Sequence, residues 1–445
     1  MKIGMVAMSG VTACDKELMQ LGFSLPGFIE RGKSIASLPS LAMLTLAGMT
    51  PTQHSIEYIE VPDLAQIPAC PGNGLAGEYD LVAISSYSAQ ILDAYELADR
   101  YRAAGIPVII GGPHVTLLPH EAAQHCDAVA IGESEAVWQS IIEDADRREL
   151  KPFYGAQFSK FDLKDAPMPA FEVLVPEKYN RLTVQTSRGC PHRCEFCASS
   201  ILFTRGYKQK PQHKVLAEID KIKEIWKRPF IEFVDDNGFV DRAYWKNLLP
   251  ELKKRQVPWF AETDIGIADD AELLAMMNDS RCAQILIGLE SPVITGMDGM
   301  ELRANWKMKN WSTYKKAIRK IQEHGIRVIG CFIVGLDGHT TKTIDQLFDF
   351  IHELELFDVQ ITVQTAFPGT PLYARLKTEN RLLEETNWRK CTLFDVNFKP
   401  DGMSVDELMN GFKSLAARLY TKELGDWRRA KFKEILRSSR SSHNV

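Results

Sequence analysis

A chain of 445 residues, 45% hydrophobic and 25% charged, has the makeup of an ordinary soluble globular protein and the length for two or three domains. Its net charge of -5 argues against a general nucleic-acid binder, although a local basic patch would escape that test. No apolar run reaches the roughly 18 residues that a membrane-spanning helix needs, and the start of the chain reads as no signal peptide. The nine cysteines therefore fit a reducing cytoplasm better than a disulfide framework.

Residues 1–150 alternate short apolar strands with helices, the pattern of a doubly wound parallel α/β sheet covered on both faces. Strands are predicted over 2–8, 55–61, 79–85, 108–112 and 128–133, with a helix over 89–104. Ligands of such sheets sit beyond the carboxyl ends of the strands. Those ends carry Ser85, Ser86 and Tyr87, then Gly111 and Gly112 before Pro113 and His114, then Gly132 and Glu133. Glycines let a large ligand approach the backbone. Read singly they are turn formers, and His114 a loop cap.

Residues 151–180 read as a linker. Beyond it, Cys190, Cys194 and Cys197 are spaced C-x3-C-x2-C, with Phe196 before the third. Three thiolates can hold three irons of a [4Fe-4S] cluster and leave the fourth iron open to a ligand, because full ligation needs a fourth cysteine. A zinc ribbon would place a second pair about 15–20 residues on, whereas the next cysteine is Cys282. Cys194 and Cys197 alone satisfy a thioredoxin-like C-x-x-C, which leaves Cys190 and Phe196 unexplained. Chance clustering is the remaining alternative.

From 181 to 375 the alternation repeats around six strands, predicting a partial (β/α)6 barrel with its site at the carboxyl ends of the strands. Asp235, Asp236 and Asn237 end one strand, Glu262 another, and Glu290 a third within Ile287-Gly288-Leu289-Glu290-Ser291. A carboxylate there suits an ammonium group; Asp and Asn are equally common helix caps, and Glu262 and Glu290 can equally pair with a neighbouring Arg or Lys. The apolar run 326–336, which contains Val334, reads as a buried parallel strand. Residues 376–445 read as a helical region holding Trp388 and Phe394. Its end, 427–440, carries six basic residues against Glu434. A basic helix can lie on an anionic membrane, but a solvated, fraying terminal helix is the expectation.

The C-x3-C-x-aromatic-C motif resembles the signature of the radical S-adenosylmethionine (SAM) superfamily. The loops around Ser85, Gly111 and Gly132, with the helix start at 38–45, resemble the cobalamin-binding domain that precedes many radical SAM modules. The chain departs from other cobalamin proteins in lacking D-x-H-x-x-G, and it has no histidine before His54. Cobalt would therefore receive no histidine from that loop. The resemblance implies a cobalamin-binding-like domain over 1–150, a linker, a radical SAM partial barrel over 181–375 and a helical region over 376–445.

The resemblance also implies roles. Cys190, Cys194 and Cys197 would hold the cluster beside Phe196, Asp235 and Asp236 would receive the SAM amino group, and Glu262 would reach its ribose. Glu290 would touch SAM or substrate and Val334 would cradle adenine. Ser85, Ser86, Tyr87, Gly111, Gly112, Gly132 and Glu133 would face cobalamin. The implied activity is reductive SAM cleavage and methylation of an unactivated carbon, on a small-molecule or lipid substrate, with an external electron donor such as flavodoxin or ferredoxin. Relatives with both modules also close, contract or rearrange rings. A methylthiotransferase with a second cluster on Cys14, Cys70 and Cys126, or a non-catalytic iron-sulfur sensor, is the minor alternative. No side chain is nominated as a catalytic acid or base.

Overall fold

A computed structural model describes residues 1–21, 24–25, 38–66, 79–158, 161–199 and 206–442; Cys70 lies outside them. The first sheet has six parallel strands in the spatial order Ser55–Val61, Lys2–Met8, Leu81–Ser85, Val108–Gly111, Ala128–Ile131 and Phe153–Gly155. Lys2–Met8 is buried on both faces, as its unbroken apolar run demands. One face packs under the helix Ile91–Ala103 through Tyr95, Leu97 and Tyr101. The other packs under Leu41–Met49 and Trp138–Asp146 through Met43, Leu46 and Ile141. The chain reverses its direction of winding at Lys2–Met8, so a crevice opens beyond Met8 and Ser85. The edge strand Phe153–Gly155 is absent from the sequence reading, because three residues with a 39% exposed Phe153 carry no periodic signal.

The second sheet is also parallel and six-stranded, in chain order Leu182–Val184, Ile231–Phe233, Trp259–Thr263, Cys282–Glu290, Arg327–Val334 and Asp358–Val363. Its first and last strands do not pair, so the barrel is open. One side of each strand is apolar and packs under helices such as Gln212–Ile225 and Arg242–Arg255. There Phe233 meets Trp245 edge-on at 5.2 Å and Trp245 lies tilted against Phe239 at 4.2 Å. The alternate side holds Thr183, Glu232, Glu262, Gln284 and Gln360, which line a cavity.

The C-terminal region joins both units. Trp388 and Cys391 belong to the apolar cluster of the first sheet. The helix Val405–Leu419 packs on Thr341–Glu353, where a Cβ on Gly411 would collide with Ile344. The basic helix Lys422–Ser442 is not a fraying tail. It buries Arg428, Phe432 and Ile435, so the apolar face that a membrane surface would need is already covered. Among the described residues no helix is long and apolar enough to cross a membrane.

Gly48 shows how tightly the linker seats the helix beside the crevice, because a Cβ there would overlap the Met168 carbonyl oxygen. Alanine in a helix is ordinarily better than glycine by about 1 kcal/mol. Gly48→Ala should nonetheless destabilise the protein by about 1–3 kcal/mol through overpacking, read as a lowered urea midpoint at unchanged slope.

Candidate active site

The cysteine loop is held from several sides. Glu301 accepts from the backbone amides of Arg193, Arg303, Ala304 and Trp306. Burial opposes its charge, but these four N-H groups win and hold the carboxyl at about 2. Glu195 is fixed by the Arg375 guanidinium at 2.8 Å and its carbonyl accepts from Leu372 N. Cys194 is buried, while Cys190 and Cys197 are half-buried. Burial pushes the Cys190 thiol to about 11 and Cys194 to about 12, and the three sulfurs repel one another as anions. Thiols in that condition ionise when a metal accepts their charge. Among the described residues no three His, Cys, Asp or Glu side chains converge on a single ion. Phe196 packs against the barrel core.

Asp235 is spent on the fold. It is 3% exposed and accepts from Thr186 N and Ser187 N, each at 2.8 Å, and from the Thr186 hydroxyl. These bonds pin the end of the first barrel strand and use three of the carboxylate's roughly four acceptor sites, and Asp235 is not among the residues lining the cavity. Asp236 lines the cavity instead, accepting from Gly189 N at 2.7 Å and from the Ser199 hydroxyl. Asn237 donates to Cys190 Sγ at 3.7 Å and to Asp264 Oδ2 at 3.0 Å, and Asp264 also meets His192.

Glu290 sits at a positive φ of 66° and pairs with Lys307, whose ammonium also acts on Cys194. The ion-pair alternative thus describes Glu290. Val334 is in the helix-packed core, and its carbonyl accepts from Gln364 N.

A cavity of about 990 Å³ lies between the two sheets. Ser85, Ser86 and Tyr87 line its first wall, with Gly111, Gly112 and Gly132. Gly112 has a φ of 109°, and a Cβ there would press on the Ser86 carbonyl at 2.8 Å. Tyr87 is 59% exposed although protein surrounds it, because its ring projects into this chamber. The barrel interior forms the opposite wall, and Arg188, Ala198 and Ser199 bring the cysteine loop to its border.

Glu133 also lines the cavity, but its oxygens are engaged. Arg188 reaches Glu133 at 2.8 Å and Glu135 at 2.8 Å, and Lys208 reaches Glu133 at 2.5 Å. Burial opposes ionisation of Glu133, and the two cations outweigh it and lower its pKa. Glu133 is therefore a joint between the units; Glu135 and Arg188 were not nominated from sequence because residues 53 positions apart show no pairing signal. His114 is likewise structural, buried between Ser88 and Glu121 and edge-on to Trp388 at 5.1 Å. Cys14 and Cys126 occupy separate surroundings: Cys14 contacts the Arg389 carbonyl and Cys126 the Ala122 carbonyl.

Removing the Arg188 head group would leave Glu133 and Glu135 facing each other partly buried. Arg188→Ala should cost about 3 kcal/mol in urea unfolding, and Arg188→Lys should recover only part, since one ammonium cannot span two carboxylates.

Glu262 is exposed at the cavity wall. Desolvation at that wall, then the charges of Glu232 and Asp236, raises its carboxyl pKa against the pull of Arg181, and water in the cavity moderates the rise. A carboxyl raised in the folded state stabilises when protonated, and that contribution is lost as pH climbs through its folded pKa. Glu262→Gln, which mimics the protonated form, should therefore melt slightly higher than the native protein at pH 8 and alongside it at pH 4, in paired thermal scans.

The chain matches the family model for the radical SAM superfamily over residues 184–351. It matches the B12 binding domain over 39–142 and a domain of unknown function (DUF4070) over 370–444. It is 29% identical over 348 residues to the bacteriochlorophyllide d C-12(1)-methyltransferase of Chlorobaculum tepidum, covering 77% of this chain and 75% of that one. It is 30% identical over 396 residues to an uncharacterized methyltransferase of Synechocystis sp., covering 86% and 71%. The fold resembles that of the radical S-adenosylmethionine methyltransferase TsrM from Kitasatospora setae, solved with cobalamin and a [4Fe-4S] cluster, at a TM-score of 0.65 and 12% identity over the full length of both chains.

Proposed function

Because the chain belongs to the cobalamin-binding radical SAM family, we propose that it methylates an unactivated carbon of a small molecule. The observation that carries this reading is a shared cavity of about 990 Å³ bordered by the cysteine loop, the barrel interior and the loops of the first sheet. When bound, the cluster, SAM and cobalamin supply radical hydrogen abstraction and a transferable methyl group, chemistry that no side chain provides.

The chain's own part is placement. Cys190, Cys194 and Cys197 hold the cluster at the rim. Asp236, fixed by Gly189 N, offers a carboxylate beside that loop for the amino group of SAM. Ser85, Ser86, Tyr87 and the Gly111-Gly112 backbone form the cobalamin wall. Arg188, held by Glu133 and Glu135, keeps that wall at a set distance from the cysteine loop. The boundaries proposed are 1–150 for the cobalamin-binding unit, 151–180 for the linker, 181–375 for the barrel and 376–445 for the helical region. The single electron comes from outside, from a flavodoxin or ferredoxin, in a reducing compartment such as the cytoplasm.

Anaerobic reconstitution of the full chain should yield about four irons, as one [4Fe-4S] cluster requires. With cobalamin and reductant added it should then release both 5'-deoxyadenosine and S-adenosylhomocysteine from SAM. Cys194→Ser should lose the iron absorbance and the 5'-deoxyadenosine together. Release of 5'-deoxyadenosine alone, with cobalamin bound, would point to ring closure or rearrangement instead.

A further inference from the structure

The inward side of the barrel carries chemistry that cofactor binding does not use. Filled barrels pack branched apolar side chains there. Here the cavity meets Thr183, Glu232, Glu262, Gln284 and Gln360. The Thr183 hydroxyl and the Gln360 amide oxygen are buried, in residues 2% and 8% exposed, and among the described residues neither has a hydrogen-bond partner. Each such orphan is a cost to the unliganded fold that a ligand donor would relieve. Rotating the Gln360 amide would only exchange which end is stranded.

Charge points the same way. Among the described residues Glu262 has no hydrogen-bond or ion-pair partner, and its carboxylate opens onto the cavity. The nearby cations are committed elsewhere, Arg181 to Glu232 at 2.7 Å and Lys210 to Glu218 at 2.8 Å. The unmatched groups are thus one carboxylate and two buried oxygens able to accept. What they lack is a cation with several N-H donors. An anionic group would face Glu262, and an apolar one would leave the oxygens stranded.

We infer that the barrel interior is a subsite for a primary amine on the substrate, its ammonium matched to Glu262, with Thr183 and Gln360 as further acceptors in the same cavity. This rests on the cavity being the reaction chamber. It assigns the substrate class that the cofactor motifs leave open, and it moves Glu262 from the SAM ribose to the substrate.

The test is anaerobic titration calorimetry on the full chain carrying cobalamin, the cluster and saturating SAM, without reductant. The probes are 4-phenylbutylamine, 4-phenylbutanol and 4-phenylbutyrate, which share a skeleton and differ in charge. The amine should bind at least about tenfold tighter than the other two, and Glu262→Gln should abolish that preference. Gln360→Leu should weaken amine binding while raising the melting temperature of the unliganded protein, because it removes an unpaired buried amide. Equal affinities, tighter binding of the acid, no detectable amine binding, or a preference untouched by Glu262→Gln would overturn the subsite. So would competition between the amine and SAM, which would place Glu262 with the cofactor. Binding is read without turnover, so these outcomes stand apart from any failure of methyl transfer.

Discussion

The Arg188 guanidinium, gripped between Glu133 and Glu135, is the contact on which the geometry of the site depends. Arg188 lies two residues before Cys190, and the two glutamates lie on the loop after the fifth strand of the first sheet. One planar side chain therefore links the cysteine loop directly to the unit whose wall is formed by Ser85, Tyr87 and Gly112. A guanidinium can satisfy two carboxylates at once. Partial burial makes the arrangement costly to break, and Lys208 adds a second cation to Glu133.

Around that joint the barrel reverses the usual allocation of polarity. Its outward face carries the apolar core, with Ile231, Phe233, Ile285 and Ile361 under the helices, so the fold does not need its interior filled. The inner positions are free to be polar and to surround a chamber. Carboxylates at strand ends divide accordingly. Asp235 and Glu301 collect backbone amides and stiffen the chain, Glu290 holds Lys307, Glu133 and Glu232 line the cavity but pair with cations, and Asp236 and Glu262 open onto it without an ion pair among the described residues.

Much of the architecture was legible in the sequence because period and length carry it. The run at Lys2–Met8 and the six barrel strands stand out as apolar stretches punctuated by polar ends, and the cysteine spacing needs no fold to be seen. The fate of each strand-end carboxylate was not legible. Asp235 and Asp236 are neighbours of the same type, and only the position of Thr186 and Ser187 decides that one caps backbone while the other faces the chamber. Val334 reads as a ligand contact or a core residue with equal ease until the register with Asp358–Val363 is known. Trp388 shows the same limit, since its indole donates to Glu121, 267 residues away.

The sequence by itself determined two parallel sheets, a three-cysteine loop and the glycine-rich ends of the first sheet, because these follow from local periodicity, spacing and backbone freedom. Only the tertiary structure decided which charges are consumed in holding the units together and which remain unpaired. Pairing depends on side chains meeting across long sequence separations, and the leftover after pairing is what a ligand can bind. Glu262 is that leftover, a carboxylate whose neighbouring cations are already taken.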